Sequence, residues 1–305
     1  MKGSIENQVK QIWHHLDGIG QSKRDSRKDS NQQSQNNQPV SKLVHSYKYK
    51  KEVLRIALEI GNFAKENFDI TDFQQISNEV ITSFFSNKVE EEVSYRSISN
   101  YVSATEKILV ALTKIGPQIE EHKNLFTREI LVEVRANAKT TAPRTKKENR
   151  AYINPLQIVA LLPKKYFIVG SLQLHYGLRV IEALRIKPSQ FDEESLTLTF
   201  KGKGGYVQKK VLNKKLFDSL KELVNDSVKK GEIGFKGDYK HYIAALQEAV
   251  SNCAEKWNGT HGLRYNYAQD RYDFYLDSGE TTDEALRLTS EDLGHHRKEI
   301  TGRYV

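Results

Sequence analysis

Four short segments of this chain hold side chains suited to chemistry on an anionic substrate. Tyr176–Leu184 carries Arg179 and Glu182, and the glycine-rich stretch Lys201-Gly-Lys-Gly-Gly205 carries Lys203. The third is His261-Gly-Leu-Arg264, and the fourth is Leu293-Gly-His295, followed nine residues later by Tyr304. Arginines fork onto paired oxygens of a phosphate or carboxylate, lysine and histidine move protons, and tyrosine can act as a nucleophile. Taken singly, each segment has an ordinary structural explanation. Arg179 could bond Glu182 one turn on, Lys201–Gly205 could be a plain hairpin turn, and His261 and Arg264 could terminate a helix.

The order and spacing of the four segments are more specific than any one of them. Together they resemble the tyrosine recombinase (phage integrase) family, over residues 150–305. The His261-x-x-Arg264 element and the Leu-Gly-His to tyrosine spacing carry most of the resemblance. The preceding helical region is similar to that family's core-binding domain, with Tyr95–Leu112 resembling its Ser/Thr-rich third helix. The resemblance implies a catalytic set of Arg179, Lys203, His261, Arg264, His295 and Tyr304. In that set the two arginines neutralise the phosphodiester and its transition state without a metal. Lys203 protonates the departing 5′ oxygen, and Tyr304 attacks phosphorus to give a 3′-phosphotyrosine that stores the bond energy. His261 shares a face with Arg264 at a helix start expected to be capped by Thr260, and the amides there add an anion site. His295 orients phosphate or nucleophile, and Glu182 orients Arg179. His296 could fill the same position as His295, which the Leu-Gly-His context favours. No cofactor, metal or ATP is expected.

The implied partner is double-stranded DNA with a specific recombination site, bound by a homo-oligomer, a tetramer on paired sites. Lys146, Lys147, Arg150, Lys201, Lys209 and Lys210 are the expected DNA-binding residues. The expected role is site-specific recombination for a mobile genetic element. Two alternatives stay open: type IB topoisomerase-like strand cleavage, and a catalytically silent DNA-binding regulator.

The elements that must position these residues follow from composition and periodicity. The chain has 305 residues, 47 Lys+Arg against 39 Asp+Glu, and 38% hydrophobic residues. Residues 1–50 hold nine basic side chains against four acidic, and Lys201–Lys215 holds six lysines and no acid. Basic stripes of this kind suit a polyanion, and solubility alone would explain them equally well. The longest apolar runs are five residues, Ile108–Leu112 and Ile158–Leu162, so no membrane partner is expected. The single cysteine, Cys253, excludes an internal disulfide framework. A cytoplasmic, nucleoid-associated protein is expected.

Apolar spacing predicts helices around Val53–Ala64, Phe73–Phe85, Ile98–Leu112 and Leu125–Val134. After a basic break at 140–150 it predicts helices over Pro155–Leu162 and Tyr166–Leu184, strands over Leu196–Phe200 and Tyr206–Leu212, and helices from there to the end. A Thr281-x-x-Glu284 capping box and Gly294 bracket one of these. The expected fold is mainly α: an N-terminal helical core-binding bundle plus a mixed α/β catalytic domain with a small antiparallel sheet, of tyrosine recombinase type. The expected divisions are 1–39 (an N-terminal helix and flexible polar tether), 40–139 (core-binding domain), 140–150 (basic interdomain linker) and 151–305 (catalytic domain). Only Val305 follows Tyr304, where the family continues into a segment that docks on a neighbouring subunit. The apolar stripe Ile5, Val9, Ile12, Trp13 and Leu16, on a tether at Gln21–Pro39, is therefore expected to dock in trans, the alternatives being that the helix packs on its own domain or binds DNA through Lys10 and the following basic tether.

Overall fold

Serines open four helices of the N-terminal region. Ser4, Ser46, Ser77 and Ser94 accept hydrogen bonds from the backbone N–H groups of Asn7, Tyr49, Val80 and Ser97. A short side-chain acceptor there satisfies an amide that has no partner inside the helix. The computed structural model describes residues 1–28, 40–116, 125–144, 148–202, 206–294, 301–302 and 304–305. It divides the chain into two units, Met1–Lys146 and Lys147–Val305.

The first unit comprises α1 (Ile5–His14), the single turn α2 (Asp25–Lys28), α3 (Tyr47–Phe68), α4 (Asn78–Glu90), α5 (Tyr95–Ile115) and α6 (Arg128–Thr141). The expected helix over Phe73–Phe85 is broken: Phe73–Gln75 forms a 3₁₀ turn, and Ser77 restarts the chain as α4. The helix expected from Leu125 instead starts at Arg128 and runs on to Thr141. Tyr95 N–H donates to the Pro143 carbonyl, so the first residues of the expected linker are fastened to this unit.

The trans-docking expectation is overturned. Ile5, Val9, Ile12, Trp13 and Leu16 are buried in the core of their own unit, where α1 packs on α3 and α5. Gln8, 1% exposed, ties the helix down by donating to the Thr71 carbonyl and accepting from Phe73 N–H. The described flanks of the segment 21–39 meet on the same unit. Gly18 N–H donates to the Val44 carbonyl at 3.1 Å and Val44 N–H to the Leu16 carbonyl at 2.8 Å, so its two flanks lie side by side. Burying five large apolar side chains gains about as much per unit area against any apolar surface, and α3 and α5 offer that surface without the entropic cost of association.

The second unit runs α7 (Pro155–Ala160), α8 (Lys164–Tyr176), α9 (Val180–Ala183), β1 (Arg185–Ile186), β2 (Phe191–Asp192), β3 (Thr197–Lys201), β4 (Val207–Val211), α10 (Lys214–Lys229), β5 (Phe235–Lys236), α11 (Tyr239–Asn252), α12 (Gly262–Asp277) and α13 (Thr282–Asp292). β2, β3 and β4 form an antiparallel sheet in that order. β5 falls where only helix was expected and pairs antiparallel with β1. Leu198 and Phe200 point from β3 into the core of helices α8, α10 and α11. Thr281 caps α13 as expected, accepting from Glu284 N–H.

The burial of α1 gives a direct test. Ile12 is fully buried, so Ile12→Ala should lower the unfolding free energy of the first unit by about 2–5 kcal/mol, read by urea denaturation. A change below about 0.5 kcal/mol, typical of surface substitutions, would contradict this packing.

Candidate active site

The helix expected over Tyr166–Leu184 breaks at Gly177, and that break places Arg179. Gly177 sits at φ 68°, where its N–H and that of Leu178 close back on Gln173 and Leu172 carbonyls. A Cβ there would come within 2.4 Å of the Tyr267 ring, so only glycine fits both the conformation and the contact. Arg179 follows with extended backbone at the start of α9. Glu182 accepts from Arg179 twice: from its backbone N–H at 2.7 Å and from Nη1 at 2.9 Å. The carboxylate thus starts the short helix and holds the guanidinium in one place.

The His261–Arg264 segment is held from two sides. Gln173, buried in α8, donates to the Thr260 carbonyl at 3.0 Å and accepts from the Tyr242 hydroxyl at 2.5 Å. Asn266 accepts from Tyr152 N–H and donates to the Tyr152 carbonyl, and the Tyr152 hydroxyl donates to the Gly259 carbonyl. Gly262 lets the Tyr152 ring lie against the first turn of α12, since a Cβ would meet it at 2.2 Å. Thr260 does not cap this helix. His261 occupies that position in helical backbone conformation and makes no side-chain cap bond. Arg150 donates through Nε and Nη2 to the Asn258 carbonyl at 3.0 and 2.7 Å, so its guanidinium sits against Gly259.

Arg264 is fully buried, and Nη2 donates to the Leu293 carbonyl at 2.6 Å. It also hydrogen-bonds Tyr304, and it lies close enough to Arg179 and Glu182 to feel both charges. Tyr304 packs on α12, its ring centroid 4.3 Å from that of Tyr265, and its carbonyl accepts from Gln269 Nε2 at 2.8 Å. Leu293, Tyr267 and Ala268 form the small apolar cluster beneath it. Arg179, Glu182, His261, Arg264 and Tyr304 are therefore brought together, with Arg150 beside them.

Lys203, His295 and His296 lie outside the described residues, as do Lys146 and Lys147. The base of the hairpin is described. Gly202 N–H donates to the Tyr206 carbonyl, and a Cβ on Gly202 would lie 3.5 Å from Glu182 Oε1 and 3.6 Å from Arg179 Nη1. The segment leading to Lys203 thus starts beside the Arg179–Glu182 pair. Lys201 and Lys209 are exposed. Lys210, expected to bind DNA, instead turns inward and donates to the Asp292 carbonyl at 2.6 Å and the Tyr267 hydroxyl at 3.3 Å. Its register explains this: Lys210 pairs with Leu198, on the inner face of the sheet. Gln173, Tyr152, Asn266 and Asp292 escaped the sequence reading because none sits in a spaced motif. Gln173 left one signal, a single amide side chain in the mostly apolar stretch Ile168–Leu174.

Charge sets the state of the histidine. Burial, then Arg264, Arg150 and Arg179, hold the His261 imidazole below the ordinary histidine value, with Glu182 opposing. Its Nδ1 is buried without a hydrogen-bond partner among the described residues. The neutral form is therefore favoured in the folded protein. The unfolded chain takes up that proton first, so this contribution to stability is present above about pH 6.5 and is lost as pH falls through the lower folded value. An NMR titration should find His261 still neutral where an exposed histidine is half protonated, and His261→Asn should flatten the acid side of the stability profile. A His261 midpoint at or above about 6.5 would contradict the described cationic surroundings.

Comparison with protein-family models finds no match, and neither does comparison with curated proteins. Solved structures do match. The XerH site-specific recombinase bound to its difH substrate is 16% identical with a TM-score of 0.65, over 100% of this chain and 94% of that one. The Tn1549 transposon integrase in complex with transposon right end DNA is 10% identical with a TM-score of 0.56, over 99% and 94%. A lambda integrase dimer bound to a COC′ core site is 13% identical with a TM-score of 0.56, over 85% and 88%. From α1 to Tyr304, the chain carries the fold of the tyrosine recombinases.

Proposed function

We propose that this chain is a site-specific DNA recombinase that cuts and rejoins DNA through a 3′-phosphotyrosine at Tyr304, without metal or ATP. The observation that carries this reading is the bond between buried Arg264 and Tyr304, with Arg179 in reach of the same charge. A phosphodiester seated there would meet two fixed guanidinia, aimed where negative charge grows on the non-bridging oxygens. Tyr304 forms the new bond to phosphorus, and the bond to the 5′ oxygen breaks. Lys203 gives the leaving oxygen its proton, and rejoining reverses both steps. His261, held neutral, takes the proton that the Tyr304 hydroxyl gives up as its bond to phosphorus forms. His295 supplies a further hydrogen bond, and Glu182 keeps Arg179 in place.

Double-stranded DNA is the partner, and Arg150, Lys201, Lys209, Lys146 and Lys147 are the phosphate contacts we assign outside the catalytic set. Exchange between two duplexes cuts four strands and each chain brings one such tyrosine, which supports a tetramer on paired sites. A role with a mobile genetic element is the one we favour, as for the transposon integrase whose fold it shares over 99% of this chain.

Tyr304→Phe removes one hydroxyl from a surface held by many phosphate contacts. It should abolish the denaturant-resistant adduct on a nicked suicide DNA substrate, while affinity for that DNA stays within about threefold. An adduct formed by the Phe variant would assign the nucleophile elsewhere. Relaxation of any supercoiled plasmid would indicate a topoisomerase, and binding with no adduct from the unaltered protein a regulator.

A further inference from the structure

Strand β4 is built inside out. An amphipathic strand usually turns its apolar residues to the core, yet Val207 and Val211 are 66% and 68% exposed, while Gln208 and Lys210 face inward. The register imposes this, because Leu198 and Phe200 occupy the inner face of β3 and pair with Lys210 and Gln208. Both inward side chains land on the end of α13. Lys210 Nζ donates to the Asp292 carbonyl at 2.6 Å, and the Gln208 amide lies against Gly294, filling the space a Cβ there would need. Arg264 takes the next carbonyl, that of Leu293. These are carbonyls at the negative end of a helix, left over by the helix itself, and two cations satisfy them.

The Asp292 carboxylate is anchored on its other side. It accepts from Arg271 Nε at 2.6 Å and from the Tyr275 hydroxyl at 2.9 Å. Lys210 also lies over the Tyr267 ring, 5.5 Å from its centroid. Facing its ammonium are Asp292, Arg264 and Arg271, and burial outweighs Asp292 in pulling Lys210 below the ordinary lysine value. An ammonium placed there is costly unless its hydrogen bonds are made.

From this geometry we infer that Lys210 is a positioning residue, locking the β3–β4 hairpin onto the C-terminal end of α13. The hairpin leads to Lys203, and the end of α13 leads through Gly294 to His295. One lysine thus ties together the described ends, 207–211 and 291–294, from which the chain runs on to two residues that the proposed reaction needs. The inference rests on the recombinase reading for its consequence and on the hydrogen bonds alone for the lock.

Lys210→Met keeps the length and packing of the side chain while removing the donor, and Lys210→Arg restores a donor. Hydrogen exchange on the free, full-length protein tests the lock. Amides of 207–211 and 291–294 should exchange at least tenfold faster in the Met variant and near the original rate in the Arg variant. Unchanged exchange in both segments would overturn the lock, and exchange faster everywhere would move the comparison to the Arg variant, which must then protect both segments. Adduct formation on nicked DNA tests the consequence. The Met variant should be slowed about 10- to 100-fold on an all-oxygen substrate, with most of the rate recovered when sulfur replaces the 5′ bridging oxygen, because a thiolate leaves without a proton. An equal defect on both substrates would overturn the link to the hairpin. Weaker binding with a salt slope reduced by about one would return Lys210 to a phosphate contact. Absence of any adduct from the unaltered protein would remove the recombinase reading, and the exchange result would still decide the lock.

Discussion

A guanidinium buried from water is tolerable only when the protein itself supplies what water gave it, and Arg264 imposes that condition on the second unit. The Leu293 carbonyl takes one of its N–H groups, Tyr304 another bond, and Glu182 adds compensating charge. Each of these partners must then be held. The end of α13 is pinned by Lys210, Arg271 and Tyr275, Glu182 by the turn after Gly177, and Tyr304 by Tyr265 and Gln269. A site that concentrates Arg150, Arg179 and Arg264 around one histidine holds unbalanced positive charge. A phosphodiester would relieve it, which is why the arrangement suits a polyanion and why the imidazole between them stays neutral.

Much of this was legible beforehand where residue type and chemistry coincide. Arg179, His261, Arg264 and Tyr304 could be picked out because few other tasks require those types in that order, and the Thr281-x-x-Glu284 pattern marked the start of α13. Motif spacing could not reveal the supporting groups. Gln173 and Asn266 act through backbone carbonyls and amides distant in sequence, and a hydrogen bond to a backbone leaves no pattern in the partner's identity. Lys210 is the sharpest case. Its neighbours read as a basic stripe, and only the cross-strand pairing with Leu198 shows that one lysine of the stripe points inward.

What covers the N-terminal helix is invisible in the sequence for a related reason. Periodicity identifies an apolar stripe but not what covers it. The stripe of α1 finds α3 and α5 because Leu16 and Gly18 pair with Val44, bringing both flanks of the polar segment to one place. A long polar insertion then costs little, since the entropy of closing a loop grows slowly with its length.

The central claim is that Tyr304 attacks a phosphodiester held by arginines rather than by a metal. Its most direct test is peptide mapping by mass spectrometry of the unaltered protein trapped on a nicked DNA substrate in the presence of EDTA. The expected product is a single modified peptide containing Tyr304, joined to the 3′ phosphate of the cleaved strand, in undiminished yield. An adduct on another residue, or one that forms only when a divalent metal is restored, would contradict it.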